Sequence, residues 1–244
     1  MENRELLKSL QHHFSEHHID ELTPCREYML GPHPAALGEA AFWLVHMILL
    51  CILMVLIWST LRRPVGKEMG LFVAYGATAI GGRILMEGAP NIQPVTILLL
   101  LAGAHLGARR GMALALLTTL ASNVALGSGL WSVYQASGWA LVALAGSLLS
   151  SWLVVEQRIM MWRLATLGII TAFAFDWWVS LYIFHGGAGI GTYFQYLVGG
   201  LSFDIMHAIG NLTFALWLAP TLNRFPEINV KTESTQYIDS LMEA

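Results

Sequence analysis

Ionisable and amide side chains interrupt the apolar segments of this 244-residue chain, and they are the residues best placed to do chemistry. In the last apolar segment, Asp204, His207 and Asn211 stand at i, i+3 and i+7, so they share one face of a helix. Asp176 lies within the preceding apolar segment, beside two tryptophans. A central Asp in a membrane helix costs about 2.5 to 3.5 kcal/mol on insertion scales, so we expect each of these residues to face protein or water.

Arg83 and Asn123 lie near the ends of two other apolar segments. We expect an internal ion pair or hydrogen-bond network between Arg83 and one of the two aspartates, Asp176 or Asp204. Such a network either holds the helices together or contacts a ligand, and the sequence leaves both interpretations open. A lone histidine such as His207 is more often a core residue than a ligand-binding residue, but its polar neighbours on the same face favour a site.

The loops between the apolar segments carry a second polar and aromatic set: Asn91, Gln93, Ser128, Trp131, Tyr134, Gln135, Tyr193 and Gln195. Sites for small organic molecules typically combine apolar walls with a few such polar groups. An interfacial belt of Trp and Tyr would account for the aromatic residues. It does not account for residues 90–94, in which two prolines stiffen a loop that presents two amides. We therefore expect a binding site on this side of the molecule.

Motifs for other chemistries are weak. The Gly-rich residues 186–191 lack the Lys-Ser/Thr of a phosphate-binding loop, so we expect no ATPase site in this chain. His13 and His17 share one helical face of the polar N-terminal tail and are weak candidates for metal ligands, with Cys25 and His33 within reach. The alternative is a solvated amphipathic tail.

Composition indicates a membrane protein with an all-α, polytopic helical bundle. Hydrophobic residues make up 56% of the chain and charged residues only 12%, against about 25% charged residues in a typical soluble domain. Seven spans are expected, at residues 41–61, 69–87, 95–106, 111–126, 138–155, 164–184 and 196–218. The third is too short to cross a bilayer upright, so we expect it to begin below the membrane surface after a re-entrant loop.

The positive charges orient these spans. The Lys and Arg residues outside the N-terminal tail and the second span are Arg62, Arg63, Lys67, Arg109, Arg110, Arg158, Arg163, Arg224 and Lys231, all in loops on one side or in the C-terminal tail. The loops near residues 88–94, 127–135 and 185–195 hold none. The positive-inside rule then predicts a multi-pass plasma-membrane protein with its N-terminus outside and its C-terminus in the cytoplasm. The polar residues 1–40 argue against a cleavable signal peptide.

Small residues recur along one face of the second span, at Gly70, Ala74, Ala77 and Gly81. Small side chains let helices approach closely in lipid, where the hydrophobic effect does not drive association. Docking of a partner protein and packing inside the bundle are both compatible with this spacing.

Several segments together resemble the substrate-binding S components of energy-coupling factor (ECF) transporters. They are residues 89–96 (APNIQPVT), 107–111 (GARRG), 122–123 (SN), 127–131 (GSGLW) and 203–211 (FDIMHAIGN). The resemblance implies a six-helix membrane core at residues 69–220 that captures a vitamin or related micronutrient from outside. It also implies partners, namely a transmembrane coupling subunit and two ATPase subunits that use ATP and Mg.

The remaining residues would be additions to that core: a His-rich extracytoplasmic tail at 1–40, an extra helix at 41–61 and a cytoplasmic tail at 221–244. Partner docking would fall on the small-residue face. The substrate-binding residues would be Arg83, Asn91, Gln93, Asn123, Trp131, Gln135, Tyr193, Asp204, His207 and Asn211. No cofactor and no nucleic-acid partner is expected for this chain.

The resemblance favours cobalamin or a related corrinoid as substrate, because the aromatic loops could cover a large ring and His207 or His185 could ligate cobalt. Two other classes stay open. One is an intramembrane enzyme built on Asp176, Asp204 and His207. The other is a metal-binding membrane protein that uses the His-rich tail.

Overall fold

The computed structural model describes residues 44, 47–58, 67–89, 91–129 and 131–225, and these are predominantly α-helical. The chain divides into two units, Met1–Leu44 and Val45–Ala244, and every element below belongs to the second. The predictions for the tail with His13, His17, Cys25 and His33, for the flanks of the first span, and for residues 62–63 and 226–244 lie outside the described residues.

Eight α-helices, a two-stranded hairpin and one 3-10 helix make up the described part of the chain. The first helices are α1 (Met47–Trp58), α2 (Lys67–Leu85), α3 (Val95–Leu106), α4 (Ala108–Leu126), α5 (Trp131–Leu148) and α6 (Ser150–Leu153). After them come β1 (Val154–Val155), β2 (Arg158–Ile159), α7 (Met161–Ser180), the 3-10 helix (Leu181–Gly186) and α8 (Ile190–Leu222).

Helix α3 is the centre of the bundle. All twelve of its residues are buried, as expected for a helix that is apolar on every side. It packs against α2, α4, α5 and α7, and most closely against α5. A Cβ added at Gly103 would lie 1.9 Å from the backbone oxygen of Ala143, and one at Gly146 would lie 2.1 Å from that of Leu100. The two helices therefore meet backbone to backbone.

A single residue, Gly107, separates α3 from α4. Its φ of 81° belongs to the left-handed region, which glycine adopts without the steric cost of a Cβ. The predicted bounds of α3 are confirmed, whereas α4 begins at Ala108 and not at Gly111, because one glycine completes the turn. At this end of the bundle, Arg110 of α4 forms an ion pair with Glu68 of α2.

Helices α7 and α8 pack along each other and form the longest apolar stretches. Residues Met161–His185 and Ile190–Leu222 are each long and apolar enough to cross a membrane. The 33 residues of α8 extend about 50 Å at 1.5 Å per residue. The outward faces of these helices are apolar, with Trp162, Val198 and Trp217 among the exposed side chains.

The fifth helix differs from its predicted bounds of 138–155. It begins at Trp131, so the polar residues 131–135 are helical and do not belong to a loop. Beyond Leu148 the chain forms the short α6 and then the hairpin, in which Val154 pairs with Ile159. β-Branched valines suit a strand, and Glu156 and Gln157 make the turn with positive φ angles of 49° and 58°.

Candidate functional site

The loop between α2 and α3 is fixed against two helices. Asn91 adopts a φ of 56°, a left-handed conformation that Asn tolerates better than most residues, and its Nδ2 donates to the Phe203 carbonyl of α8 at 3.3 Å. Pro94 packs against Gly82 of α2, where an added Cβ would lie 2.5 Å from the proline ring. Ile92 lies against Gly210 of α8, where an added Cβ would lie 3.1 Å from the Ile92 Cα. Residues 91–94 of the predicted stiff loop are therefore clamped between α2 and α8.

Arg83, in the last turn of α2, is buried and makes a network with α4 and α5. Its Nη1 donates to Ser122 Oγ and, at 2.6 Å, to Asn123 Oδ1, and its Nη2 lies 3.4 Å from Gln135 Oε1. The guanidinium also lies 4.9 Å from the centre of the Trp139 ring, a cation–π contact.

The predicted pairing of Arg83 with an aspartate is wrong. Among the described residues, the hydrogen-bond partners of Arg83 are neutral and come from α4 and α5. Asp176 and Asp204 lie on α7 and α8 and have partners of their own. The physical reason is that Arg83 points toward the α4–α5 side of the bundle.

Asp176, His207 and Thr96 form a hydrogen-bonded chain across three helices. His207 Nδ1 lies 2.9 Å from Asp176 Oδ2, and His207 Nε2 lies 3.0 Å from Thr96 Oγ1. A carboxylate only accepts hydrogen bonds, so His207 donates from Nδ1. In the neutral imidazole, Nε2 then accepts from the Thr96 hydroxyl. The order hydroxyl, imidazole, carboxylate is the order found in acyl-transfer enzymes.

These groups line one cavity of about 110 Å³. Its walls are Arg83, Asn91, Gln93, Val95, Thr96, Gln135, Trp139, Phe175, Asp176 and His207. Trp139 and Phe175 stack on each other with ring centres 4.9 Å apart, and Phe175 meets His207 edge to face. The cavity therefore combines a flat aromatic wall with a cationic group on one side and a carboxylate on another.

Of the ten residues predicted to bind substrate, five line this cavity: Arg83, Asn91, Gln93, Gln135 and His207. Asn123 stands behind Arg83 and orients it, while its own Nδ2 donates to Ser132 at 2.9 Å. Asp176, predicted as part of an enzyme site and as one of two possible partners of Arg83, lines the cavity as well.

The other four predicted residues lie elsewhere. Asp204 is buried and accepts a hydrogen bond from the indole nitrogen of Trp177 at 3.0 Å. Asn211 is fully buried and donates to the Gly168 carbonyl, so it ties α8 to α7. Tyr193 donates to the Trp177 carbonyl and stacks on a phenylalanine. Trp131 opens α5, with its ring over Gly129.

Thr96, Trp139 and Phe175 line the cavity but were not predicted from the sequence. The sequence contains a local pattern that could have identified two of them. Trp139 follows Gln135 by one helical turn and so shares its face, and Phe175 immediately precedes Asp176. Thr96 has no local signal, because only the packing of α3 against α8 brings it to His207.

A separate aromatic cluster lies outside the cavity. Tyr134 and His185 are 2.9 Å apart between the hydroxyl and Nε2, and both are at least partly exposed. His185, predicted as one possible cobalt ligand, is therefore bonded to a tyrosine away from the cavity lining. Within the described residues, no group of three or more His, Cys, Asp or Glu side chains is placed to hold a metal ion.

The small-residue face of α2 points away from the bundle. Gly70, Ala74 and Ala77 are exposed and Gly81 is half-buried, and a Cβ added at either glycine would meet nothing within 4 Å. Packing inside the bundle, one of the two interpretations of this spacing, therefore does not account for the face in the described part of the chain.

No protein-family model, no curated protein and no solved structure matches this chain.

Proposed function

We propose that this protein is the membrane-embedded substrate-capture subunit of an ECF-type importer, which binds a vitamin or related micronutrient from outside the cell. The observation that carries the proposal is the cavity, where charged, amide and aromatic side chains from four helices and a clamped loop converge inside an apolar bundle. A buried site of this make-up serves a polar small molecule better than it serves packing, since unpaired buried polar groups destabilise a fold.

The outer surface supports a membrane location. Two helices are long and apolar enough to span, and large apolar side chains cover the outward faces of α7 and α8. We propose that the remaining long helices also cross, with the N-terminus outside and the C-terminus in the cytoplasm. The cavity end of the bundle then faces outside, and the end with Gly107 and Arg110 faces the cytoplasm.

The exposed small-residue face of α2 supports a protein partner. We propose that Gly70, Ala74, Ala77 and Gly81 dock a transmembrane coupling subunit, to which two ATPase subunits supply the energy of ATP. Binding of a corrinoid remains a prediction, and the size of the cavity sets a condition on it. A cavity of about 110 Å³ holds roughly four waters at about 30 Å³ each, so a corrinoid would bind only after the surrounding loops open.

The first test is to purify the protein in mild detergent after growth in rich medium and to identify any bound small molecule by mass spectrometry and absorbance. Gln93→Leu should lose that molecule and keep its thermal stability, because Gln93 lines the cavity and forms no hydrogen bond with the described residues. Gln195→Leu, the same change at an exposed position of α8, should retain it. An empty protein that no member of a vitamin panel, corrinoids included, stabilises would contradict the proposal.

A second candidate function is an acyl-transfer enzyme, and it rests on the hydrogen-bonded chain Thr96–His207–Asp176. The enzyme site predicted from the sequence contains Asp176, Asp204 and His207, whereas this chain contains Thr96 and not Asp204. In that reaction Thr96 Oγ1 would attack the carbonyl carbon of an ester while His207 Nε2 takes up the hydroxyl proton. The ester C–O bond would then break, the proton would pass to the leaving alcohol, and water would hydrolyse the acyl group from Thr96. Hydrolysis of p-nitrophenyl acetate by the purified protein, lost in Thr96→Val, would favour the enzyme. If p-nitrophenyl acetate is hydrolysed no faster with the protein than in detergent buffer alone, the protein does not hydrolyse this ester.

A further inference from the structure

The Arg83 guanidinium carries a buried positive charge with no carboxylate partner among the residues that the structure describes. Only 7% of Arg83 is exposed, and its three hydrogen-bond acceptors are a hydroxyl and two amide oxygens. Those three bonds use three of its five N–H groups, so Nε–H and one Nη2–H have no acceptor among the described residues. Buried charges in proteins are nearly always paired, so we expect an anion to bind in the cavity beside Arg83.

The N-terminus of α3 adds to this positive potential. The first backbone hydrogen bond there runs from the Leu98 N–H to the Pro94 carbonyl, and Pro94 provides no side-chain cap. The preceding N–H groups, at residues 95–97, therefore lack an intrahelical acceptor. Val95 and Thr96 line the cavity, so the positive end of the helix dipole faces the same space as Arg83.

A hydrogen-bond acceptor stands elsewhere on the cavity wall. Asp176 binds His207 through Oδ2, and its other oxygen, Oδ1, has no donor among the described residues. Because a carboxylate accepts hydrogen bonds only, this oxygen suits an N–H or O–H group of a bound molecule. His207 itself is occupied on both ring nitrogens, by Asp176 and Thr96.

Size and shape limit the rest of the molecule. The volume of about 110 Å³ is below the roughly 300 Å³ at which typical drug-sized pockets begin. Trp139 and Phe175 stack on each other, so a flat ring would contact the outer side of this pair and would not enter between the two rings. The Gln93 side chain lines the cavity and forms no hydrogen bond with the described residues.

We infer that the cavity takes a single-ring carboxylate, whose anionic group binds between Arg83 and the N-terminus of α3 and whose hydrogen-bond donor faces Asp176. This inference rests on the proposed capture function and names its substrate class. It assigns Arg83 the recognition of the carboxylate and Asp176 the recognition of the donor.

The test compares benzoate, 3-aminobenzoate and benzamide at equal millimolar concentration and equal ionic strength, by thermal unfolding of the purified full-length protein. Benzoate should raise the unfolding temperature more than benzamide, a neutral molecule of the same shape, and 3-aminobenzoate should raise it most. Arg83→Gln should weaken benzoate binding about ten- to a hundredfold, as expected for loss of a charged hydrogen-bond partner. Asp176→Asn should keep the preference for benzoate over benzamide and lose the advantage of the amino group.

Mass spectrometry of the molecule that co-purifies with the unmodified protein gives a second readout, which holds even if Arg83→Gln fails to fold. A small carboxylic acid supports the inference. A neutral or multi-ring molecule, with no stabilisation by benzoate, overturns the inference and leaves the capture function standing. Binding of no molecule of any class overturns both.

Discussion

At the scale of single residues, two buried charged groups in the described part of the bundle, Arg83 and Asp204, are held by neutral or aromatic neighbours from other helices. Arg83 is held by Ser122, Asn123 and Trp139, and Asp204 is held by the indole of Trp177. The arrangement at Arg83 leaves a positive charge on the cavity wall, apart from the carboxylate of Asp176 on another wall. An arginine paired directly with an aspartate would have removed both charges from the cavity wall.

The Trp177–Asp204 bond gives a residue-scale prediction. Trp177→Phe keeps an aromatic ring but removes the only hydrogen-bond donor to Asp204 among the described residues, so we expect destabilisation of about 1–3 kcal/mol. Denaturant unfolding in detergent measures the effect. Trp217→Phe is the matched control, because Trp217 is 61% exposed and its indole N–H donates no hydrogen bond within the described residues. Equal stability of the two variants would show that the indole N–H contributes nothing.

At the scale of elements, the close contact of α3 with α5 decides where the cavity lies. Glycines at the contact bring the α3 backbone against α5 near Ala143 and Leu100. The same pair of helices carries Thr96 and Trp139 to the cavity at its other end. Because protein interiors are close-packed, a change at the contact moves the cavity wall as well.

Gly103→Ala tests this contact. The added methyl would lie 1.9 Å from the Ala143 backbone oxygen, so the helices must separate, and we expect a loss of stability of about 1–3 kcal/mol or more. Gly199→Ala in α8 meets nothing within 4 Å and should leave stability unchanged or raise it by up to about 1 kcal/mol through helix propensity. Thermal unfolding compares the two. If Gly103→Ala unfolds with the control, the helices are not in backbone contact.

At the scale of the whole molecule, the cavity and the small-residue face are separate surfaces. The cavity lies between helices at one end of the bundle, whereas Gly70, Ala74 and Ala77 face outward along α2. The proposed capture and docking steps can therefore be disrupted independently.

Ala77→Leu should abolish association with the proposed coupling subunit and ATPases, measured by co-purification from membranes, and leave ligand binding unchanged. A bulky side chain prevents the close approach that small residues allow in lipid. Ala174→Leu, the same change at an exposed position of α7, is the control and should keep the complex. Retention of the partners by Ala77→Leu would place the docking surface elsewhere.

The sequence alone determined the helical elements well where apolar periodicity and glycine or proline boundaries coincide. The 95–106 helix agrees to the residue, because Pro94 and Gly107 limit it on both sides. The prediction from sequence failed at α5, because polar side chains within residues 131–135 lower the apolar signal although these residues are helical. It also failed at the hairpin, because the two valines form a strand only when the chain turns at Glu156-Gln157 and pairs them with residues 158–159.

Five of the ten residues predicted from the sequence to bind substrate line the cavity, because amides in a Pro-bracketed loop and polar residues on one helix face are local patterns. Only the tertiary structure decided the pairings. Arg83 faces α4 and α5 because of the rotation of α2 in the bundle. Thr96 meets His207 although they are 111 residues apart in the chain. Rotation and contact between helices follow from how all their surfaces pack together, and no single segment carries that information.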